Sequence, residues 1–516
     1  MTQSLEDTVV VVGAGISGLT AAYHCAKNGK QVVLVDFSDQ VGGGVCEPFK
    51  RNGAEFNFGL HVVGYGNPLE RFLLHHIMPP EVKWNQIPGP IDTLFFPDRD
   101  PVIIQPGRRA YGEAMSKEFP QYKREIKQFL RATYEAMPWL YLAPIFAQFP
   151  FGVRQGADFL RRINENASLT YVQDFLDTLQ IPNELKAMLT AQWPYFGVDP
   201  SKIPMTQHAV VRNSFMGDCV YPEGGTNSIV DAVIGMLNQK SSVIYKGYKA
   251  VEIVMENDHV AGVRIQKKDG TDEQFIPTHN VISTIGEGRT FSLVPEKYKP
   301  TNLYTPNGSY VAGVSYVLNQ DPRKLSSVQR IGNEGGSIWI NKSYDPKQNA
   351  KLNTDSPPNL YLSFSSLKDP TTKVPCAEAG FFFSDNSLFA PWMEGNRDED
   401  YKALKRRVEK GVTALIEQHI QGFSEIVQHS YVATPASFNR YGVPYAYGHA
   451  QTAERLLEKQ ARGFTPRTQI QGLFLGDAEG VWMPGVVPAA FSGYLAALQI
   501  VGHSAILDPA GLRGLF

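Results

Sequence analysis

A strand that runs straight into three spaced glycines, then a helix, then a second strand ending on an acid, constrains this chain more than any other feature. Val9-Val10-Val11-Val12 leads into Gly13-Ala14-Gly15-Ile16-Ser17-Gly18, and an alanine-rich helical stretch runs from Leu19 to Asn28. Gln31-Val32-Val33-Leu34-Val35 then ends on Asp36, with Phe37 behind it. Gly13 permits the tight turn, Gly15 lets the backbone approach a diphosphate, and Gly18 lets the helix lie close on its strand. The free N–H groups and positive end of the helix hold the diphosphate, and Asp36 is placed to accept from ribose hydroxyls. The glycine spacing alone is a weak signal. In this strand–helix–strand–acid order it predicts a Rossmann-type α/β domain that binds a dinucleotide.

Later segments choose between dinucleotides. After Asp36 come Gln40-Val41-Gly42-Gly43-Gly44-Val45, a second loop able to approach phosphate and ribityl oxygens. Far downstream, Gly472-Leu473-Phe474-Leu475-Gly476-Asp477 reads as an apolar strand ending in Gly-Asp, followed by Pro484-Gly485-Val486-Val487 and a long apolar helix. A strand-borne Asp477 suits a ribityl hydroxyl, and a helix N-terminus stabilises negative charge developing on a flavin ring. NAD has no ribityl chain to use these groups, so FAD is the better reading. Thr284 and Gly286, after the strand that starts at Val281, join the candidate cofactor contacts.

Composition excludes several functions. With 49 Lys and Arg against 51 Asp and Glu, net charge −2, and no basic block, nothing favours nucleic acid. Cys25, Cys46, Cys219 and Cys376 are scattered without a C-x-x-C, which argues against a disulfide framework or a metal site and fits a reducing cytoplasm. Glu6 and Asp7 precede the first strand without a basic n-region or apolar core, so no signal peptide is expected. No Ser-His-Asp arrangement, H-E-x-x-H or P-loop lysine competes.

Two stretches bear on membranes. From Val481 to Leu507 there is no Asp, Glu, Lys or Arg, a length that could cross a bilayer. Its Pro484, Gly485 and Pro488 directly after the Gly-Asp strand favour a buried cofactor helix. The stretch from Ala136 to Val153 is uncharged and includes Trp139, Tyr141, Phe146, Phe149 and Phe151, and Pro138, Pro144 and Pro150 speak against one continuous spanning helix. It reads as the lining of an apolar substrate tunnel or as a patch that dips into a membrane surface.

At 516 residues the chain can form two or three domains. Helices are expected at Tyr111 to Phe119, Lys123 to Ala136, Arg154 to Ile163, Thr170 to Leu179 and Asn183 to Gln192. Strands and a hairpin at 242–284 fit the rest of an open nucleotide-binding sheet. Between about 305 and 440 strands predominate, interrupted by a helix from Asp398 to His419. The expected fold is therefore α/β: a discontinuous FAD-binding domain (1–105, 206–300 and 465–516) with an inserted α+β substrate domain. That insertion comprises a helical part (106–205) and a part built on an antiparallel sheet (301–464).

Taken together, the N-terminal motif, Gly42 to Gly44, Tyr221-Pro222-Glu223-Gly224-Gly225 and Gly476-Asp477 resemble the phytoene desaturase and carotenoid isomerase superfamily of FAD enzymes. Within it, Ala54 to Gly64, Tyr195 to Val198 with Met205 to Ala209, Tyr221 to Gly225, and Leu362 to Pro370 are similar to the retinol saturase group. The resemblance implies an oxidoreductase with Leu60, His61 and Val62 beside the flavin and the main chain at Ala250 and Val251 against the adenine. It also implies an apolar conjugated substrate: a retinoid, carotenoid or polyenoic lipid. Departures are Asp36 where Glu is common, Asn57 where an acid is usual, Ala250 where Val is usual, and Trp482-Met483 in place of a glycine-rich run. Animal members carry an endoplasmic reticulum signal that is not read here, so a cytoplasmic protein is implied, with peripheral membrane contact left open.

Such a substrate offers few handles, so the protein must hold it flat against the flavin in a dry slot. Saturation is the first expectation, by hydride delivery and proton addition, with desaturation or isomerisation as rivals. One acid or base is enough. The candidates are His61, Tyr445 and Tyr447, with His449 and Glu223 behind them. A single Rossmann entry is legible, so an external electron donor or acceptor is expected: a quinone, a reductase or oxygen.

Overall fold

The computed structural model describes residues 5–46, 49–57, 59–66, 68–146, 170–303, 308–395, 397–439, 452–461, 464–477 and 485–502. Five strands form a wholly parallel sheet in the order Val243–Lys246, Gln31–Asp36, Thr8–Val12, Asn280–Ser283, Leu473–Leu475. Their central members are unbroken apolar runs because a parallel sheet is covered on both faces. The helix Ile16–Lys27 is buried along nearly its whole length and packs against the helix Val486–Val501. Small residues make that approach possible: a Cβ on Gly493 would lie 2.0 Å from the Ser17 carbonyl oxygen.

The hairpin region does not extend this sheet. Tyr248–Glu256, His259–Lys267 and Glu273–Pro277 form a separate antiparallel meander, and from this region only Val243–Lys246 and Asn280–Ser283 join the parallel strands. The reason is connectivity: two-residue turns at Asn257-Asp258 and near Asp269-Gly270 can only reverse the chain.

A seven-stranded sheet carries the middle of the chain, ordered Val427–Ala433, Tyr310–Leu318, Cys376–Phe383, Asn359–Ser363, Ser337–Asn341, Asp92–Phe95, Val102–Ile104. Its first face is uniformly apolar: Ala377, Ala379, Phe381, Leu360, Leu362, Ile338 and Ile340 pack with Val408, Val412, Leu415 and Ile416 of the helix Glu399–His419. That helix starts on an Asp398 cap that accepts the Tyr401 N–H at 2.9 Å. Side chains alternate across a strand, so the second face carries Asp92, Ser337, Trp339, Tyr361, Ser363 and Glu378. These are buried too, and they face the functional site.

Three expectations need correcting. The strands Asp92–Phe95 and Val102–Ile104 pair into the seven-stranded sheet through Ser337–Asn341, so a boundary at 105 cuts too late. The helix Met205–Met216 packs on the helix Lys123–Phe146, which places it with the helical part rather than with the nucleotide domain. The latter helix also continues through Pro138 and Pro144 to Phe146. A proline costs a helix one donor and strains the preceding turn, yet its fixed φ remains helical. The expected helix at Arg154 to Ile163, with Phe149 and Phe151, lies outside the described residues. Among the described residues no helix is long and apolar enough to cross a membrane.

Candidate functional site

The glycine loops form a cradle. Gly13 has φ +98°; its N–H donates to the Val35 carbonyl at 2.8 Å, and Thr284 Oγ1 donates to the carbonyl oxygens of Val12 and Gly13 at 3.0 and 3.2 Å. A Cβ on Gly18 would sit 1.8 Å from the Gly13 oxygen, so only glycine allows this turn under this helix. The second loop docks beside the first: Gly42 N–H donates to Ala14 O at 2.9 Å, and Gly42 bridges Gly15. Gly15 and Gly44 differ from their neighbours, because a Cβ on either meets no atom within 4 Å. Backbone amides around them therefore border open space, as a diphosphate needs.

Asp36 closes one side of the cradle. Its carboxylate accepts the Ala14 N–H at 2.6 Å and the Ser38 N–H at 2.8 Å. Burial raises its pKa, and these two amide donors oppose the rise. Phe37 beside it is 41 % exposed. Val251 stands at a register shift between Ala250 and Glu252, a bulge that takes it out of regular pairing on a strand beginning next to Gln31–Asp36. Gly286 (φ +93°) opens the helix Glu287–Ser292. At the other end, Gly476 N–H donates to Ser283 O at 2.9 Å, Asp477 is buried, and Gly485 (φ +124°) opens the helix at Val486 and Val487. Ile16 and Ser17 are buried in the helix start, and Val45, in the single turn Gly43–Cys46 of the second loop, packs against the core.

The segment Gly59 to Val62 links this cradle to the seven-stranded sheet. A Cβ on Gly59 would lie 3.0 Å from the Gly44 oxygen, so the segment runs hard against the second loop. Leu60 and Val62 are buried on either side of His61. His61 Nδ1 donates to Glu378 Oε2 at 3.1 Å, an assignment that follows because an ionised carboxylate only accepts. Glu378 Oε1 takes the Asn57 backbone N–H. Lys368 Nζ donates to the His61 carbonyl at 2.6 Å and stands 5.7 Å from the centre of the Tyr221 ring. His61, Lys368 and Glu378 are 8 %, 2 % and 4 % exposed. Three ionisable groups are thus joined where water is nearly excluded.

Their environments differ. Burial lowers the His61 pKa, and the hydrogen bond and charge of Glu378 only partly restore it, so the ring is neutral near pH 7. Burial also lowers Lys368, from the usual 10.5 to about 8, against the attraction of Glu378. Lys368 thereby becomes a group whose proton is exchangeable near neutrality.

An aromatic wall extends from this cluster along the second face of the sheet. His61 lies 5.0 Å from the Tyr361 ring, Tyr361 is 4.8 Å from Trp339, and Trp339 is 4.7 Å from Tyr195, which stacks on Phe215 at 4.6 Å. Ser337 Oγ lies 3.2 Å from the Tyr195 hydroxyl and 3.4 Å from that of Tyr361. The sheet pairs Trp339 with Tyr361 and Ser363 with Glu378, so pairing across strands aligns wall and acid.

Of the sequence-derived candidates for proton transfer, the structure brings His61 to this cluster. Glu223 stands at the Tyr221–Gly225 turn, its N–H donating to Lys83 O at 2.9 Å. Tyr445, Tyr447, His449 and Trp482 lie outside the described residues. Lys368 and Glu378 were missed. Glu378 had a legible signal, a lone acid within the apolar run Cys376 to Phe383; Lys368 had none beyond its place in a matching segment.

Residues 11–74 match a family model described as an NAD(P)-binding Rossmann-like domain. The chain is 26% identical over 546 residues to the all-trans-retinol 13,14-reductase of Homo sapiens, spanning 97% of this chain and 86% of that protein. It is 22% identical over 538 residues to the phytoene dehydrogenase of Streptomyces griseus, covering 98% of each. Among solved structures, the cyclohexylamine oxidase of Brevibacterium oxydans superposes with a TM-score of 0.62 at 13% identity, over 96% of this chain and 98% of that one, which shows a shared fold.

Proposed function

We propose that this oxidoreductase, similar along nearly its whole length to retinol 13,14-reductase and phytoene dehydrogenase, binds FAD and saturates a double bond of an apolar conjugated polyene. The observation that carries the proposal is the buried His61–Glu378–Lys368 cluster, set between an open glycine cradle and a continuous aromatic wall. FAD fits on the same ground: Gly15 and Gly44 face open space, while Gly13 and Gly18 are held tight around them. Gly13 to Gly18 with Asp36 would hold its adenosine diphosphate, Gly42 to Gly44 and Asp477 its ribityl chain, and Gly485 to Val487 the ring end.

When bound and reduced, FAD supplies the hydride. The polypeptide then has three tasks. The wall of Tyr195, Phe215, Trp339 and Tyr361 holds a flat, featureless chain and excludes water. Glu378 orients the neutral His61 ring and holds positive charge at Lys368. Lys368 gives the proton that the carbon neighbouring the hydride acceptor requires, so one hydride and one proton add across the bond. An external reductant restores the electrons.

The test is to incubate dithionite-reduced enzyme anaerobically with retinoid and carotenoid probes and to weigh the products. A gain of one H2 is expected. Loss of H2 from oxidised enzyme supports desaturation, and an unchanged mass with altered retention supports isomerisation. Either result overturns saturation, and a response confined to amines overturns the polyene reading.

A further inference from the structure

Past the far end of the aromatic wall lies a buried cation. Arg212, on the helix Met205–Met216, is 3 % exposed, and its guanidinium stands 4.0 Å above the Tyr111 ring. Its Nε and Nη2 have no hydrogen-bond partner. Asp92 attracts it, but both Asp92 oxygens are engaged: Oδ1 takes the Trp339 Nε1–H at 2.8 Å and Oδ2 the Gln192 Nε2–H at 2.9 Å. One helical turn before Arg212 comes His208, 1 % exposed, stacked on Phe196 at 4.9 Å, with neither ring nitrogen partnered. Trp193, also 1 % exposed, leaves its Nε1–H unmet. Buried polar groups are otherwise satisfied in the great majority of cases, and an unmet guanidinium N–H costs more than a neutral donor. Arg212 and His208 lie one turn apart on one helix, with Trp193 on the short turn Trp193–Phe196 that this helix contacts, and so many unmet donors call for an occupant.

Position suggests which. Trp339 belongs to the wall through its contacts with Tyr195 and Tyr361, and the same Trp339 donates to Asp92. Three residues on from Arg212 along the helix, Phe215 stacks on Tyr195. The wall therefore leads from the His61 cluster to the partnerless donors. A ligand lying along it has its middle against aromatic rings and one end at Arg212. Resting on the polyene reading above, we propose that Arg212, with His208 and Trp193, receives an oxygen-bearing end of the substrate: a hydroxyl, carbonyl or carboxylate on an otherwise apolar chain. The site would then favour terminally oxygenated polyenes over pure hydrocarbons, and anchoring that end sets which double bond reaches the reactive cluster. The rival occupant is internal water, which could satisfy the same donors.

The test measures binding to the FAD-loaded enzyme by titration of polyene absorbance, with all-trans-retinol, all-trans-retinoic acid and the hydrocarbon lycopene as probes. In Arg212→Met, retinol and retinoic acid should bind about tenfold to a hundredfold more weakly, the loss expected for hydrogen bonds to a charged group, with lycopene unchanged. His208→Phe, which preserves the ring stack, should weaken the same two probes severalfold and carries the test if Arg212→Met does not fold. Equal loss for all three probes, or none, in a variant with normal FAD content assigns the donors to water and overturns the proposal. If the parent enzyme binds no probe, the polyene reading itself fails.

Discussion

Lys368→Met is the perturbation whose consequence is most fully specified by the structure. The ammonium is 2 % exposed and donates to the His61 carbonyl. Burial is the larger influence on it, the attraction of Glu378 the opposing one, and the thiols of Cys219 and Cys376 add smaller opposing contributions. Tyr221 is a further polar neighbour. The folded group releases its proton near pH 8, whereas the unfolded one holds it to 10.5. Below pH 8 both states are protonated, and the folded state carries the full cost of a buried charge. Between 8 and 10.5 the unfolded chain binds more protons, so stability rises with pH. Above 10.5 the relative gain is complete, and it corresponds to about 3 kcal/mol. Urea unfolding with saturating FAD, measured from pH 7 to the alkaline limit, would give the curve. Subtracting that of Lys368→Met cancels titrations common to both proteins. The expected difference is a rise with pH specific to the parent enzyme, most of it above pH 8. Parallel curves would show that the ammonium is solvated in the folded state, and the proton-donor assignment would fall with them.

Two further outcomes follow from the same geometry. Gly15→Val should fold yet purify colourless, because its φ of −72° suits any residue and its Cβ points into open space, while Gly18→Val, with a Cβ 1.8 Å from a carbonyl oxygen, should not fold; absorbance at the flavin bands and circular dichroism separate the two. Glu378→Gln removes the charge that holds the Lys368 proton, so activity that declines above about pH 8 in the parent enzyme should decline at lower pH in the variant. An unmoved alkaline limb in the pH–rate profile would exclude Lys368 as the acid.

What the sequence disclosed, and what it hid, follows the distance over which each feature is assembled. The cradle is local: Gly13, Gly15, Gly18 and Asp36 lie in one strand–helix–strand unit, and turn, close approach and capping acid are all imposed by neighbours in the chain. The acid cluster is not local. Lys368 and Glu378 reach His61 only through a sheet whose strand order departs from sequence order. Because both faces of that sheet are buried, alternation does not appear as apolar against polar. Glu378 could have been noticed, since a carboxylate inside the apolar run Cys376 to Phe383 requires a partner. The helix through Pro138 and Pro144 shows the opposite error. Proline was read as a local stop, but the helix, which packs against Met205–Met216, continues past both prolines to Phe146.

Asn57 joins these two scales. Resemblance leads one to expect an acid at this position, and an amide side chain cannot supply its charge. The structure brings a carboxylate there from the sheet: Glu378 accepts the backbone N–H of Asn57 through one oxygen and the His61 ring through the other. Charge is thus present beside the segment although its own side chain is neutral, and it is held by a residue more than three hundred positions away. This arrangement also couples the parts of the molecule. The segment 54–64 lies against the glycine loop through Gly59, and Glu378 and Lys368 hold it to the sheet side. Separating them would strip these buried groups of their hydrogen bonds to the segment. The cluster proposed to move a proton therefore also ties the segment beside the glycine cradle to the sheet that carries the aromatic wall, so under the proposed function the same few hydrogen bonds would position cofactor and substrate.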